Sequence, residues 1–319
     1  MQVTPTTQRA WLRGQYEAVE LTPEASARRY ARSEHPDTRG WLRVSSPTPP
    51  PVAITEFLLE IGVQVPRLGP AIDGVYLVED LGDVHLSHRP EPENYAALLA
   101  VHRRYFLAEL PAGHPNRALA LDVLLFRREL RMFADATFAG SDAHHDPVPL
   151  HLAPRSQERI RAALDALAAL ASEGPQALAH RDLHCRNVLL HRGEVVLIDH
   201  QDMRRGPLFY DLASLHTDAY LDLSQPVIDQ LESEVRRLGE AAGLTQAASL
   251  RQWRRTALQR VIKALGTFAK LQSEGRSNYA AAERRAHAHA RRLFLEMQSN
   301  DPTAARSLAA LAVLPFLQT

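Results

Sequence analysis

One short stretch in the middle of the chain limits its possible folds more than any other feature. Residues 180–187 read His-Arg-Asp-Leu-His-Cys-Arg-Asn, and two apolar runs joined by a glycine-containing turn follow over residues 188–198. Such a pair of runs predicts a β-hairpin. Asp199 stands directly after the second run. We therefore expect Asp182, Asn187 and Asp199 to lie together at the open end of one hairpin.

The chemistry of these three residues suits phosphoryl transfer. That reaction depends mainly on positioning and charge stabilisation, so it needs a carboxylate near the attacking hydroxyl and oxygen ligands for Mg²⁺. Mg²⁺ keeps several waters, and one or two protein oxygens are enough to hold it beside phosphate oxygens. The order of residues resembles the catalytic loop and metal-binding aspartate of kinases. The resemblance implies that Asp182 is the catalytic base and that Asn187 and Asp199 bind Mg²⁺.

The periodicity of the remaining chain predicts an α+β fold of the protein-kinase-like, two-lobe type. Short strand-like runs alternate with helical segments in the first eighty residues, whereas the chain after residue 90 is mostly helical. We expect a small mixed α/β nucleotide-binding lobe over residues 1–82, with a hinge at 79–82. A large helical lobe over residues 83–319 then carries the catalytic loop 180–187 and Asp199.

Composition excludes several classes of partner. The 37 basic and 37 acidic residues give no net charge, which argues against nucleic-acid binding. No segment approaches the roughly 20 apolar residues that span a membrane. The N-terminus lacks the apolar run of a signal peptide, and the single cysteine excludes an internal disulfide framework. We expect a cytoplasmic monomer that binds a small-molecule substrate and ATP.

A longer stretch of sequence makes the resemblance to kinases more specific. Residues 198–215 resemble the Asp-Phe-Gln-Asp, Gly-Pro and Tyr-Asp-Leu-x-Ser-Leu signature of bacterial anomeric sugar kinases, within the aminoglycoside phosphotransferase and choline kinase superfamily. Residues 24–32, 75–82 and 265–269 are similar to a loop, a hinge and a helix of the same enzymes. The likeness covers nearly the whole chain. It implies phosphorylation of N-acetylmuramate or N-acetylglucosamine at the anomeric hydroxyl, in peptidoglycan recycling.

The same resemblance implies ATP and Mg²⁺ as cofactors and assigns the nucleotide site. Ser26 and Arg28 belong to the loop that covers the ATP phosphates. A small hydroxyl and neighbouring backbone N–H groups suit phosphate oxygens. The backbone around Glu79 and Leu81 is implied to receive the adenine.

Some positions depart from the family pattern. Kinases hold the phosphates with a lysine of the small lobe, but this chain has only Lys263 and Lys270, both far beyond that lobe. We consider Arg43 as a replacement, although arginine and lysine differ in geometry. His200 stands where the family has phenylalanine.

The sequence does not identify the molecule that accepts the phosphoryl group. Asp202, Arg205 and Glu129 are candidate substrate contacts by their position near the expected cleft. The alternatives to a cell-wall sugar are an aminoglycoside, choline or another sugar. A further alternative is a catalytically weak pseudokinase, which the altered small-lobe stretch favours and the intact catalytic residues oppose.

Overall fold

A computed structural model describes residues 4–21, 28–139, 152–276 and 278–318. Its N-terminal part is a five-stranded antiparallel sheet with the strand order β1-β2-β3-β5-β4. The strands are Val19–Leu21 (β1), Arg29–Arg32 (β2), Trp41–Ser45 (β3), Leu68–Ile72 (β4) and Val75–Glu79 (β5). Strand-like runs in the sequence at residues 27–33, 41–44 and 75–79 predict β2, β3 and β5, whereas the proline-containing stretch 63–69 predicts a turn where β4 begins.

The two faces of this sheet have different neighbours, because side chains alternate along each strand. Ala31 and Leu77 point to one face and form a small core with Trp11 and Leu12 of helix α1 (Pro5–Leu12). Cross-strand neighbours on the other face, including Tyr30, Leu42, Tyr76 and Val78, line the central cleft. The sequence predicts a helix over residues 6–18, but α1 ends earlier, before Gly14, whose φ is +69°.

Helix α2 (Val52–Glu60) follows a run of prolines. Its buried side chains Ile54, Phe57 and Leu58 belong to the large core of the helical part. The Thr55 hydroxyl and His200 Nε2 share a buried hydrogen bond of 2.8 Å. Helix α2 thus connects the N-terminal part to the catalytic region.

The remaining chain is mostly helical. Its helices are Pro92–Tyr105 (α3), Val123–Ala139 (α4), Pro154–Ser172 (α5), Tyr210–His216 (α6), Gln225–Ala241 (α7), Gln246–Ser273 (α8), Ala280–Asn300 (α9) and Pro302–Ser307 (α10). Two antiparallel pairs interrupt them: Gln176–Ala179 (β6) with Arg204–Pro207 (β9), and Val188–His191 (β7) with Glu194–Leu197 (β8). The predicted α+β, kinase-like fold class is confirmed, whereas the lobe boundary at 79–82 stays a prediction.

Helix α8 is the centre of the helical part, where it contacts α4, α5, α6, α7 and α9. Its apolar face buries Ala257, Val261, Leu265 and Phe268. A Cβ added at Gly266 would lie 3.0 Å from the backbone nitrogen of Phe133, so glycine permits the close approach of α4. Burial on this scale fixes α8 firmly, and with it the polar side chains on its cleft-facing side.

One buried carboxylate joins two outer helices. Glu234 of α7 is 2% exposed and accepts hydrogen bonds from Arg103 of α3 at 2.6 Å and from Arg237 at 2.6 Å. Burial alone would raise the pKa of Glu234, but the bonds from Arg237 and Arg103 lower it to about 2. Because the folded pKa is depressed, the contribution to stability is present above pH 4.5 and is lost as the pH falls toward 2.

We expect Glu234→Gln to lower the free energy of unfolding at pH 7 by about 1–2 kcal/mol, a discounted value because both arginines are half exposed. At pH 3 the loss should be smaller, because the Glu234 carboxylate of the unfolded wild type is then largely protonated, whereas that of the folded protein is not. Urea unfolding at both pH values measures this difference. Glu232→Gln, on the same helix, is the control and should change little at either pH. An equal loss for Glu234→Gln at both pH values would contradict the assignment.

Candidate active site

The loop that carries Asp182 is anchored by one buried carboxylate. Asp211, in the first turn of α6, accepts hydrogen bonds from the backbone N–H groups of His180 (2.7 Å) and Arg181 (3.2 Å) and from the Tyr105 hydroxyl (2.7 Å). Arg181 has a φ of +80°, a conformation that arginine rarely adopts. The hydrogen bonds that Asp211 accepts therefore hold a strained turn directly before Asp182.

The hairpin predicted from the sequence brings the two suggested metal ligands together. Strands β7 and β8 pair in register, and the Ile198 N–H donates to the Asn187 carbonyl at 3.0 Å where the hairpin opens. Asp199 then adopts a left-handed conformation with φ +61°, which turns the chain into the next loop. Asn187 and Asp199 thus begin and end the same open edge.

The Asn187 side chain is oriented by the catalytic loop. Its amide nitrogen donates to the Asp182 carbonyl at 2.8 Å, so its amide oxygen is the atom that can coordinate a cation. Asp199 Oδ1 accepts from Gln201 Nε2 at 2.8 Å and lies 3.5 Å from the Arg28 guanidinium. Amide and carboxylate oxygens form a hard donor set that suits Mg²⁺.

Three cations surround the Asp182 carboxylate. Lys263 Nζ lies 2.9 Å from Oδ1, Arg260 lies 3.5 Å from Oδ1, and Arg181 Nε lies 3.9 Å from Oδ2. Burial by itself would raise the pKa of Asp182, but Lys263, Arg260 and Arg181 lower it well below its ordinary value. Asp182 is therefore ionised throughout the physiological pH range.

Sequence reasoning missed Lys263 and Arg260 as members of the site. They are 81 and 78 positions from Asp182 along the chain, and no motif joins them to it. The only available signal was residue type: Lys263 is one of two lysines, and it stands on an apolar, otherwise buried stretch of α8.

The structure brings two of the three candidate substrate residues toward Asp182. Asp202 lies 3.0 Å from Arg181 and 2.6 Å from Arg204. Glu129 of α4 is buried, lies 3.4 Å from Arg181, and accepts from Gln259 at 3.1 Å. Arg205 on β9 has an exposed side chain and is not brought to the cleft, because its neighbours Arg204 and Gly206 take the inward positions of the strand.

A cleft of about 820 Å³ lies between the sheet and the helical part. Glu79 and Leu81 line it at the predicted hinge. The Glu79 N–H donates to the Arg67 carbonyl at 2.9 Å, and the Leu81 carbonyl accepts from His191 Nδ1 at 2.9 Å. These bonds fix the course of the backbone at the edge of the cleft.

The structure separates the predicted phosphate-facing residues. Arg28 lines the cleft and donates to Gln201 Oε1 at 2.7 Å, directly beside Asp199. Arg43 points to the opposite face of the sheet, where its guanidinium lies 5.5 Å from the centre of the Trp11 ring. The alternation of β3 explains this placement, since Leu42 and not Arg43 faces the cleft. Ser26 lies outside the described residues.

Nucleophilic catalysis by cysteine and a transition-metal site are less well supported than phosphoryl transfer. Burial and the neighbouring Asp218 raise the pKa of the Cys185 thiol, which disfavours the thiolate needed for nucleophilic catalysis. Within the described ranges, no three histidine, cysteine or carboxylate side chains gather as a transition-metal site requires. Burial lowers the pKa values of His184 and His200 to about 3, so both are neutral near pH 7.

Residues 13–244 match the family described as the phosphotransferase enzyme family. The chain belongs to this family. It is also similar to the N-acetylmuramate/N-acetylglucosamine kinase of Pseudomonas aeruginosa, with 27% identity over 83% of this chain and 81% of that protein. Membership of the phosphotransferase enzyme family makes the chain a phosphotransferase.

Solved structures support the same fold. A choline/ethanolamine kinase family protein from Mesorhizobium loti superposes with a TM-score of 0.55 at 15% identity, covering 93% of both chains. An aminoglycoside phosphotransferase in a ternary complex with ADP and hygromycin B gives a TM-score of 0.50 at 16% identity, covering 86% of this chain and 93% of that one. In the part of this chain that the structure describes, no helix is long and apolar enough to span a membrane.

The anchoring role of Asp211 is directly testable. Asp211→Ala leaves two backbone N–H groups and a buried hydroxyl without their acceptor, and we expect a loss of about 3 kcal/mol in unfolding free energy. Amide hydrogen exchange at His180 and Arg181 should accelerate more than exchange in α8. Asp229→Ala, at an exposed aspartate of α7, is the control and should change neither quantity. Unchanged exchange at His180 and Arg181 would show that the loop does not depend on Asp211.

Proposed function

We propose that this phosphotransferase is an ATP- and Mg²⁺-dependent sugar kinase, with N-acetylmuramate and N-acetylglucosamine as its acceptors and the anomeric hydroxyl as the site of phosphorylation. The observation that carries the reaction type is the meeting of Asp182, Asn187 and Asp199 at the mouth of one cleft. The similarity to the Pseudomonas kinase over 83% of the chain supports the acceptor. Such an activity belongs to peptidoglycan recycling.

In this proposal, the nucleotide occupies the side of the cleft formed by the sheet. Leu42, Tyr76 and Val78 offer an apolar surface for the base, and the backbone around Glu79 and Leu81 would receive its edge. The phosphates then extend toward Arg28 and the open end of the hairpin.

Asn187 and Asp199 would hold Mg²⁺ through the amide oxygen and the carboxylate. When bound, the ion neutralises charge on the phosphate oxygens and orients them for displacement. Arg28 lies on the sheet side of Asp199, so it would supply the positive charge that the absent small-lobe lysine supplies elsewhere.

Asp182 would orient the acceptor hydroxyl and take its proton. Its depressed pKa makes it a weak base, which is compatible with a loose transition state in which the proton leaves late. Its ionised carboxylate accepts the hydroxyl hydrogen bond and so aligns the attacking oxygen.

The charges beside Asp182 favour a neutral or acidic sugar over a polycation. Asp182, Glu129 and Asp202 are each paired with a cation, so they offer no unpaired acidic cluster to an aminoglycoside. The helical stretch from Ala247 onward also carries twelve basic and four acidic residues. A polycation would therefore gain little attraction from the carboxylates beside Asp182.

The aromatic side of the cleft also argues against choline. Tyr220, Phe268 and Tyr279 line this region, as an aromatic cage for a quaternary ammonium would require. However, the Arg186 guanidinium already lies 3.9 Å from the centre of the Tyr220 ring. A second cation on the same face of that ring would have to displace it. A cytoplasmic location and a monomeric state stay predictions.

Turnover of a panel of acceptors tests the proposed function. We expect phosphorylation of N-acetylmuramate and N-acetylglucosamine, and little or none of glucose, choline and kanamycin. Asp182→Asn should lower kcat by about 10³-fold, since general-base and orienting contributions are of that order. Nucleotide binding, measured by calorimetry, should persist because Asp182 does not contact the nucleotide side.

Asp222→Asn, at an exposed aspartate, is the matched control and should keep full activity. Near-full turnover by Asp182→Asn would contradict its role. Preferred turnover of choline or kanamycin would contradict the sugar assignment while keeping the mechanism. Absence of both nucleotide binding and turnover in the wild type would favour the pseudokinase.

The role of Arg28 gives a separate prediction. Arg28→Gln should raise the KM for ATP at least tenfold, because a charge-assisted bond to phosphate contributes about 1.5–3 kcal/mol. The KM for the acceptor should change little. Arg29→Gln is the control, since the neighbouring Arg29 side chain is 73% exposed and points away from the cleft. An unchanged KM for ATP in Arg28→Gln would exclude Arg28 as the phosphate-facing cation.

A further inference from the structure

Lys263 occupies an unusual position for a lysine. Its side chain is only 10% exposed, and its Nζ lies 2.9 Å from Asp182 Oδ1 and 3.8 Å from Glu129 Oε1. Lysine is rarely buried unless it is paired. The other lysine, Lys270, is 62% exposed two turns along the same helix and lies 3.9 Å from Glu274. The chain therefore has one solvated lysine and one enclosed beside the catalytic aspartate.

The contacts of Asp182 are asymmetric. Lys263 and Arg260 both approach Oδ1, at 2.9 and 3.5 Å. The ion pair that Arg181 makes with Asp182 is instead to Oδ2, and its Nε lies 3.9 Å away, beyond hydrogen-bond distance. One carboxylate oxygen is thus held by a short charge-assisted bond, and the other has capacity to accept a further hydrogen bond.

The position of Lys263 is itself fixed from both sides. Glu129 of α4 lies beside its Nζ and accepts a hydrogen bond from Gln259, one turn earlier on α8. The apolar face of α8 is buried against five other helices. The lysine can therefore act as a rigid donor, which a surface lysine with free rotamers cannot.

We propose that Lys263 is a positioning residue for phosphoryl transfer, which holds Oδ1 of Asp182 so that Oδ2 faces the acceptor hydroxyl. This role rests on the proposed assignment of Asp182 as the residue that takes the acceptor's proton. The acceptor oxygen forms a bond to the γ-phosphorus as the bond between that phosphorus and the bridging oxygen breaks. ADP leaves with the electron pair, and the hydroxyl proton passes to Oδ2 and then to water.

A merely structural ion pair between α8 and the catalytic loop makes different predictions. Loss of such a pair would lower stability and disturb substrate binding in general. Loss of a positioning residue lowers kcat, leaves KM largely unchanged, and has no further effect once Asp182 has lost its function.

The test is a double-mutant cycle with Lys263→Met and Asp182→Asn in the full-length protein, with N-acetylmuramate and ATP. Lys263→Met keeps the length of the side chain and removes its charge. We expect a kcat about 30- to 100-fold below wild type, with both KM values within about threefold. In the Asp182→Asn background, the same change should alter kcat by less than about threefold. Lys263→Arg, which keeps the charge, should lose less activity than Lys263→Met.

The control is Lys270→Met, which removes the solvated lysine of the same helix and should behave as wild type. Multiplicative losses in the double variant would overturn the proposal, as would a change confined to KM. If Lys263→Met does not fold, as judged by thermal unfolding, the same cycle is measured with Lys263→Arg. Multiplicative losses in that double variant, or a change confined to KM, would likewise overturn the proposal.

Failure of the proposed function has a separate signature. It would appear as a wild type that does not phosphorylate N-acetylated sugars. The cycle is then measured on the acceptor that is turned over, or on slow hydrolysis of MgATP with water as the acceptor. A wild type that turns over none of these, water included, overturns the positioning role together with the proposed function.

Discussion

The geometry of the site depends on one buried carboxylate that does no chemistry. Asp211 accepts hydrogen bonds from two consecutive backbone N–H groups, those of His180 and Arg181, and so holds Arg181 at a positive φ. A backbone in that conformation turns sharply, and the turn presents the Asp182 side chain to the cleft. Because Asp211 lies in the first turn of α6, the orientation of the proposed catalytic aspartate is set by a helix of the main core.

A second constraint is the balance of charge around Asp182. Its carboxylate shares the region with Arg181, Arg260 and Lys263, whereas Glu129 and Asp202 offset part of that positive charge. Because the ionised form of Asp182 is so strongly stabilised, the carboxylate gains little free energy by accepting a proton early in the reaction. Its main contribution is then the alignment of the hydroxyl, which agrees with a reaction in which charge stabilisation outweighs proton abstraction.

Sequence reasoning predicted the local parts of this site and missed the distant ones. The loop and hairpin over residues 180–199 were predictable because turn residues and strand alternation act over a few positions. Lys263 and Arg260 reach Asp182 only through the packing of α8, which no local pattern reports. Strand β9 was also missed, because Arg-Arg-Gly-Pro has low strand propensity and forms a strand by pairing with β6. The placement of Arg43 away from the cleft was predictable from the alternation of side chains along β3, because its neighbour Leu42 faces the cleft.

The absence of a small-lobe lysine has a structural counterpart in helix α2. In protein kinases, a helix of the small lobe positions that lysine through an ion pair with a glutamate. Here α2 instead meets the loop after Asp199 through the neutral hydrogen bond between Thr55 and His200. Burial lowers the pKa of His200 to about 3, so this link does not change its charge near neutral pH. Arg28, in turn, is held by Gln201 and Asp199 of that same loop. The contacts of Thr55 and of Arg28 are both made to residues 199–201, the segment that carries the proposed metal ligand. Arg28 is therefore held beside Asp199 by this segment and needs no acidic partner on α2.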